Sequence, residues 1–157
     1  MHRLIIALAV SLTMLASARA EPALKIINFT ADWCPNCQIL NPRLEEAMEG
    51  FEPGTIERVD LDVTRIRRTS TPVERAEVQT DVLLLANEHQ VAYLWDWYGG
   101  VTGIAVAVAA DNGEPITCFM RPMTAKAIEG QLKLALTLAE RGTPGQRKPD
   151  GPDCPVL

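Results

Sequence analysis

Apolar and polar positions in the first part of the chain follow a strand, helix, strand pattern. Leu24–Phe29 is a short, mostly apolar run with β-branched residues, which predicts a buried strand. The segment from Cys34 to about Glu49 has apolar residues near helical spacing and stops before Gly50, which predicts a helix. Thr55–Val63 alternates apolar and polar residues, as a half-buried strand does.

The pattern in the second part predicts a helical segment, a hairpin and a final helix. Pro72 is suited to open a helix, Val82–Tyr98 has a helical pattern, and two glycines follow it. Ile104–Ala109 and Glu114–Phe119 predict two strands joined by an Asp-Asn-Gly turn. Thr124 is the expected N-cap of a helix that ends at Arg141. The whole order predicts an α/β layer fold with a mixed sheet.

The two ends of the chain differ from the segment between them. Residues 1–20 have a basic start, an apolar stretch and a small-x-small end, which predicts a secretory signal peptide cleaved after Ala20. An uncleaved membrane anchor is the alternative, although the apolar stretch is short for a span. Residues 143–157 are rich in Pro, Gly and charge, which predicts a flexible C-terminal tail. We therefore expect one domain, residues 21–142, in the periplasm or secreted.

Composition leaves the cysteines available for chemistry. The chain has 157 residues, of which 47% are hydrophobic, so a core can form without disulfide staples. Four cysteines are too few for a disulfide scaffold. The formal net charge is −5, so neither nucleic acid nor an acidic membrane surface is an expected partner.

The sequence Trp33-Cys34-Pro35-Asn36-Cys37 stands where the first strand turns into the first helix. The helix dipole and the free N–H groups at that position favour the thiolate form of Cys34. Cys37, one helical turn on, can attack a mixed disulfide formed at Cys34. Pro35 suits the first helical turn, and Trp33 can cover one side of the pair with its flat apolar face.

Two other uses of this pair have to be weighed against redox chemistry. Half a zinc site would need two further ligands at suitable spacing, but Cys118 and Cys154 are 36 residues apart and His89 is the only histidine beyond residue 20. A purely structural disulfide would close a very small loop and gain little stability. The pattern therefore favours a redox pair and no metal. Cys154 is left with three possible partners: Cys118, another molecule or the Cys34–Cys37 site.

Two further segments have no assigned role at this stage. Thr64–Thr71 is polar and basic, which predicts a solvated connection. Trp95–Gly100, "WDWYGG", is either a binding surface near the cysteines or the buried end of a helix.

The motif and its surroundings resemble the thioredoxin superfamily. The resemblance is carried by "NFTADWCPNC" followed by Pro42, then by "VDLD" and "VTGIAVAVAADNGEP", and it extends from Leu24 to Arg141. "ADWC" is also similar to the C-terminal thiol domain of the periplasmic reductant transporter DsbD. The resemblance implies a near-minimal four-stranded mixed sheet flanked by helices, with a helical insertion before the third strand. It also implies thiol–disulfide exchange, with Cys34 as the exposed nucleophile and Cys37 as the resolving thiol.

Two positions depart from the family pattern. Asn28 stands where the family often has a buried acid, so proton transfer from Cys37 would fall to water or another group. Ala105 stands where the family has a cis-proline, and a non-proline cis bond costs about 2.5–4 kcal/mol, so the Ile104–Ala105 bond is expected to be trans. The resemblance implies that substrate lies against Trp33, Pro35 and this backbone, so Ile104 and Ala105 are the other expected substrate-binding residues.

These observations predict an extracytoplasmic thiol–disulfide oxidoreductase that uses Cys34 and Cys37 and no cofactor. We expect a monomeric reductant that acts on protein thiols and disulfides, and a membrane reductase of the DsbD type is its possible source of electrons. The alternative is a thioredoxin-like binding module or a Cu(I)-handling protein that uses the same cysteines, since proline is missing at residue 105.

Overall fold

A four-stranded sheet carries the fold in the computed structural model, which describes residues 21–155. The strands are β1 (Leu24–Thr30), β2 (Ile56–Asp62), β3 (Ile104–Ala109) and β4 (Pro115–Met120). Their order across the sheet is β2-β1-β3-β4. β1 runs parallel to β2 and antiparallel to β3, and β3 runs antiparallel to β4. The predicted mixed sheet of four strands is therefore confirmed.

Helices cover both faces of the sheet. They are α1 (Pro35–Met48), α2 (Pro72–Glu88), α3 (Tyr93–Tyr98) and α4 (Ala125–Arg141). Successive residues of a strand point to opposite faces, so Ile27 of β1 packs with α2 and α3 while Ile26 packs with α1 and α4. Because both faces are covered, the inner strands β1 and β3 are almost wholly buried. The predicted helical insertion before the third strand corresponds to α2 and α3.

Side-chain caps define where two of these helices begin. Thr71 and Glu74 form a reciprocal capping box at the start of α2. Thr124 accepts a hydrogen bond from the backbone N–H of Ala127, which confirms the predicted start of the last helix.

The expected single helix over Val82–Tyr98 is wrong. α2 begins at Pro72, the proline expected to open a helix, but it stops at Glu88, and α3 is a separate short helix. Gln90 has a positive φ of 62°, and the N–H of Val91 donates back to the carbonyl of Ala86. This is the usual way to end a helix, but the residue is normally glycine, so no local signal marked the break.

The segment after α4 differs from the flexible tail that its composition predicted. Residues 143–155 lie against the domain, where Arg147 is only 6% exposed and pairs with Asp111 and Glu114. The side-chain hydrogen bond from Arg147 lowers the pKa of Asp111. A disulfide between Cys118 and Cys154 attaches the end of this segment to β4. A buried guanidinium needs carboxylate partners, and these come from the β3–β4 turn, far away in sequence.

The signal peptide expected at residues 1–20 lies outside the described residues. Within residues 21–155, no helix is long and apolar enough to cross a membrane.

Candidate active site

Cys34 and Cys37 lie at the first turn of α1, directly after β1 and a short loop. Cys34 is the N-cap residue, with the extended backbone that this position requires, and Pro35 follows as the first helical residue. The backbone N–H of Cys37 donates to Sγ of Cys34 over 3.1 Å. The two residues form a disulfide with their Cα atoms 5.2 Å apart. The N-terminal end of the helix and this N–H both favour negative charge on Sγ of Cys34 when the pair is reduced.

Both cysteines are buried in this disulfide form. Cys34 is 3% exposed and Cys37 is 1% exposed, so the resemblance was wrong to imply an exposed Cys34. The reason is that both side chains belong to the apolar cluster on the α2–α3 face of the sheet, which also contains Phe29 and Ile104. A reacting sulfur atom must therefore approach through the residues that surround the pair.

Trp33 and Pro35, two of the expected substrate-binding residues, flank the cysteines at the surface. Trp33 is 44% exposed, and its indole Nε1–H donates to the carbonyl of Thr64 over 3.2 Å. The ring therefore leans towards the connection between β2 and α2. Pro35 is exposed on the first turn of α1.

The loop before β3 is the other wall of the site, and all peptide bonds of residues 21–155 are trans. The expected trans bond between Ile104 and Ala105 is therefore confirmed. Ile104 packs in the same cluster as the cysteines, whereas the buried side chain of Ala105 lies in the cluster on the α1–α4 face. Of the two residues, only Ile104 shares the apolar surroundings of the disulfide.

Gly103 is a site residue that the sequence analysis did not single out. Its φ is +85°, and its N–H donates to the carbonyl of Phe29 over 2.8 Å. A Cβ atom at this position would lie 2.5 Å from Cβ of Asn36, which stands between Pro35 and Cys37. Only glycine lets this loop approach the cysteine turn so closely. A glycine directly before an apolar strand was the available signal.

Replacing Gly103 with alanine should lower the free energy of unfolding by at least about 2 kcal/mol. The left-handed backbone alone costs about 1–2 kcal/mol for a residue with a Cβ, and the contact with Asn36 adds to it. Chemical denaturation measures the change. Gly100→Ala is the matched control, because Gly100 has a φ of +88° but open space around its missing Cβ. Equal losses in the two variants would show that the contact with Asn36 carries no weight.

Asn28 lies under the start of α1, in a small polar cluster. Its side chain is fully buried, and Nδ2 donates to Oδ1 of Asn41 over 3.1 Å and to Oδ1 of Asp60 over 2.7 Å. Asp60 is its partner on β2 and is also paired with Arg58. Residue 28 itself is not acidic, but the carboxylate of Asp60 lies directly beside it, on the neighbouring strand.

A groove connects this cluster with the resolving cysteine. Its volume is about 460 Å³, and its lining includes Cys37, Asn41, Pro42 and Asp60. Among the described residues, no group donates to Oδ1 of buried Asn28. The groove offers water a path between Cys37 and Asp60.

The "WDWYGG" segment contains both buried and exposed aromatic residues. Tyr98 is buried and packs edge-to-face on Phe29, with ring centroids 5.9 Å apart. Trp95 is half-buried against the same cluster, whereas Trp97 is exposed. The segment is therefore the end of a packed helix with one tryptophan facing solvent.

Cys154 has the first of its three possible partners, Cys118. The hydroxyl of Tyr98 donates to the carbonyl of Pro155 over 3.1 Å, which holds the chain next to this disulfide. Pro155 lines a groove of about 410 Å³ together with Asn36, Gly103 and Ile104. The C-terminal segment thus borders the active site.

Within residues 21–155, no three histidine, cysteine, aspartate or glutamate side chains are grouped so that they could hold a metal ion. The two sulfur atoms of the cysteine pair lie in an apolar cluster, next to a polar groove.

Comparison with known proteins supports the assignment that the geometry suggests. The thioredoxin family profile matches residues 15–91, which include the cysteine pair. The crystal structure of StoA from Bacillus subtilis is 17% identical, with a TM-score of 0.44 over 72% of this chain and 84% of that chain. A thiol:disulfide interchange protein of the thioredoxin family from Chlorobium tepidum TLS is 19% identical, with a TM-score of 0.45 over 72% of this chain and 79% of that chain. No curated protein matches the sequence.

The two structural likenesses are too distant to say anything about activity. The family is carried by the profile match, by the Cys34-Pro35-Asn36-Cys37 turn between β1 and α1, and by the strand order β2-β1-β3-β4. These observations identify a thioredoxin-like fold and support a protein of the thioredoxin superfamily.

Proposed function

We propose that this protein is an extracytoplasmic thiol–disulfide oxidoreductase that works as a reductant of protein disulfides. The observation that carries the proposal is the disulfide between Cys34 and Cys37 at the N-terminal end of α1, with the Cys37 N–H donating to Sγ of Cys34. A thiolate at that position is stabilised by the helix dipole and by this hydrogen bond, and it is the nucleophile in disulfide exchange.

The reaction transfers two electrons from the dithiol to the substrate. The Cys34 thiolate attacks one sulfur of the substrate disulfide, that bond breaks, and the first substrate thiolate leaves and takes up a proton. Cys37 then loses its proton and attacks Sγ of Cys34. The mixed disulfide breaks, the second substrate thiolate leaves, and the enzyme holds the Cys34–Cys37 disulfide.

Asp60 is the proposed acceptor for the proton that Cys37 loses. Asn28 has no acidic group, but the groove that borders Cys37 also borders Asp60. Water in this groove can relay the proton from Cys37 to Asp60. In this proposal the acid needed for the second step sits on β2 instead of β1.

Two features support a location outside the cytoplasm. The first 20 residues have the pattern of a secretory signal peptide. The second disulfide, Cys118–Cys154, is of the kind that persists in oxidising compartments and is rare in the cytosol. In such a compartment a reductant has to be recharged, and a membrane reductase of the DsbD type fits that need.

The reduction potential of the Cys34–Cys37 pair tests the proposal. The mature protein is equilibrated in defined thiol buffers, its free thiols are blocked, and peptide mass spectrometry reports the two disulfides separately. We expect a value at or below about −230 mV, towards the thioredoxin end of the range. A value near about −120 mV would instead identify a disulfide donor. The Cys118–Cys154 pair serves as the internal control for a disulfide that does not exchange.

A binding module is the second candidate, and the burial of both cysteines favours it. Two sulfur atoms in an apolar cluster suit a soft ion such as Cu(I). Titration of the reduced protein with Cu(I) distinguishes the two candidates. Tight stoichiometric binding without a reversible disulfide couple would favour the binding module.

A further inference from the structure

A cleft opens on the side of Trp33 that faces the connection between β2 and α2. Its volume is about 430 Å³. Because Trp33 directly precedes Cys34, the cleft adjoins the active site. We call it the arginine cleft after its lining, which consists of Trp33, Ile66, Arg67, Arg68 and Arg75.

The positive charge in the arginine cleft is only partly neutralised. Arg67 pairs with both carboxylate oxygens of Asp32, over 2.9 and 3.1 Å. Arg75 donates to two backbone carbonyls, those of Ser70 and Arg67, which carry no charge. Within residues 21–155, no hydrogen bond or ion pair occupies the exposed side chain of Arg68. Two guanidinium groups therefore have no carboxylate partner.

The nearest acidic residue in sequence does not fill this need. The carboxylate of Glu74 accepts the backbone N–H and the hydroxyl of Thr71 at the start of α2. The local excess of positive charge contrasts with the net charge of −5 of the whole chain. The net negative charge of the protein repels an acidic ligand elsewhere on the surface. The positive arginine cleft attracts the same ligand, so an acidic ligand is expected to bind there.

The wall of the cleft is held in place by its own hydrogen bonds. Thr64 accepts from the backbone N–H of Asp32 and from the indole of Trp33, and Asp62 accepts from the N–H of Thr64. The hydroxyl of Ser70 accepts from the N–H of Arg67. A connection held in this way loses little conformational entropy when it binds a ligand.

We infer that the arginine cleft docks an acidic segment of the protein whose disulfide reacts at Cys34. A guanidinium group can bind a carboxylate in a bidentate manner, which suits Arg68, and the charge of Arg75 adds to the attraction. Trp33 and Ile66 provide an apolar surface for a neighbouring aliphatic or aromatic side chain of the same segment. The inference rests on the proposed function, and it adds the substrate class: proteins with acidic residues close in sequence to the reactive cysteine.

The test compares two disulfide-linked peptides that differ only in charge. One has aspartate, glutamate and leucine next to its cysteine, and the other has asparagine, glutamine and leucine. The rate at which the reduced protein exchanges with each peptide is measured at low ionic strength. We expect the acidic peptide to react about tenfold faster, and we expect the ratio to approach one at high salt.

Arg68→Glu is the diagnostic variant, because Arg68 supports no other described residue. The ratio of the two rates should fall to about one or below. Lys126→Glu is the matched control, since it makes the same change in net charge at an exposed position on α4, on the other face of the sheet. It should keep the ratio of the wild-type protein. A ratio near one in the wild-type protein, or a ratio that Arg68→Glu leaves unchanged, would overturn the inference.

A second measurement separates failure of docking from failure of the proposed function. The acidic peptide with serine in place of cysteine is labelled, and its binding to the oxidised protein is followed by fluorescence anisotropy. If neither disulfide peptide exchanges, the proposed function fails, and this measurement alone decides the docking. If Arg68→Glu weakens binding of the labelled peptide and Lys126→Glu does not, docking in the arginine cleft is supported. Equal binding to all three proteins, or none, would overturn it.

Discussion

Replacing Cys34 with serine should abolish disulfide exchange, with a loss on the order of 10³-fold or more, while the protein stays folded. A serine hydroxyl is not ionised near neutral pH and is a poor nucleophile towards sulfur, so the first step has no reactive group. The side chain is nearly the same size, so the buried cluster around Phe29 and Ile104 keeps its packing. Reduction of a protein disulfide measures the activity, and circular dichroism measures the fold. Retained activity in the folded variant would remove the proposed mechanism.

Cys37→Ser is the matched control for this prediction. The attacking thiol remains, but the resolving thiol is lost, so the mixed disulfide at Cys34 should accumulate. Intact mass measurement should find a substrate adduct on Cys37→Ser and none on Cys34→Ser. An adduct on Cys34→Ser and none on Cys37→Ser would mean that Cys37 is the attacking thiol and Cys34 the resolving one.

Removing the second disulfide with Cys118→Ala and Cys154→Ala together should lower the free energy of unfolding by about 4 kcal/mol. The bridge joins residues 36 apart in sequence, and a loop of that length restricts the unfolded chain by about this amount in the chain-entropy account. Alanine at residue 118 leaves no polar group in the cluster that Cys118 occupies. Chemical denaturation under non-reducing conditions measures the loss.

The first disulfide provides the control for the second. Cys34→Ala with Cys37→Ala opens a bridge between residues only three apart, so its effect through the unfolded chain should be much smaller. Equal losses in the two double variants would mean that the Cys118–Cys154 bridge does not stabilise the domain by linking its C-terminal segment to β4.

Patterns within one element were enough to predict most of the fold. The apolar run of Ile104–Ala109 is β3 with the bounds expected for it, and Thr124 caps the last helix as its position suggested. These features depend on neighbours three or four residues away, which the sequence shows directly. The end of α2 before Gln90 is also a local feature. It was missed because a left-handed residue at a helix end is usually glycine, and a glutamine does not indicate that conformation.

The candidate site divides in the same way. The cysteine pair at the start of a helix could be predicted, because Cys34 and Cys37 lie within one helical turn of each other. The close approach of Gly103 to Asn36 could not be predicted, because the two residues are far apart in sequence. The same holds for Asp60 beside Asn28, a pairing that exists only once β2 lies next to β1.

By itself the sequence determined that this chain forms an α/β domain with a cysteine pair at the start of a helix, because strand alternation, helix caps and the Cys-x-x-Cys spacing are local properties. Tertiary structure decided the rest: which cysteine Cys154 binds, how deeply Cys34 is buried, and where the basic connection around Arg68 lies. These depend on the packing of distant segments against one sheet. The physical reason is that burial, pairing and local charge arise between surfaces that meet only after the chain has folded.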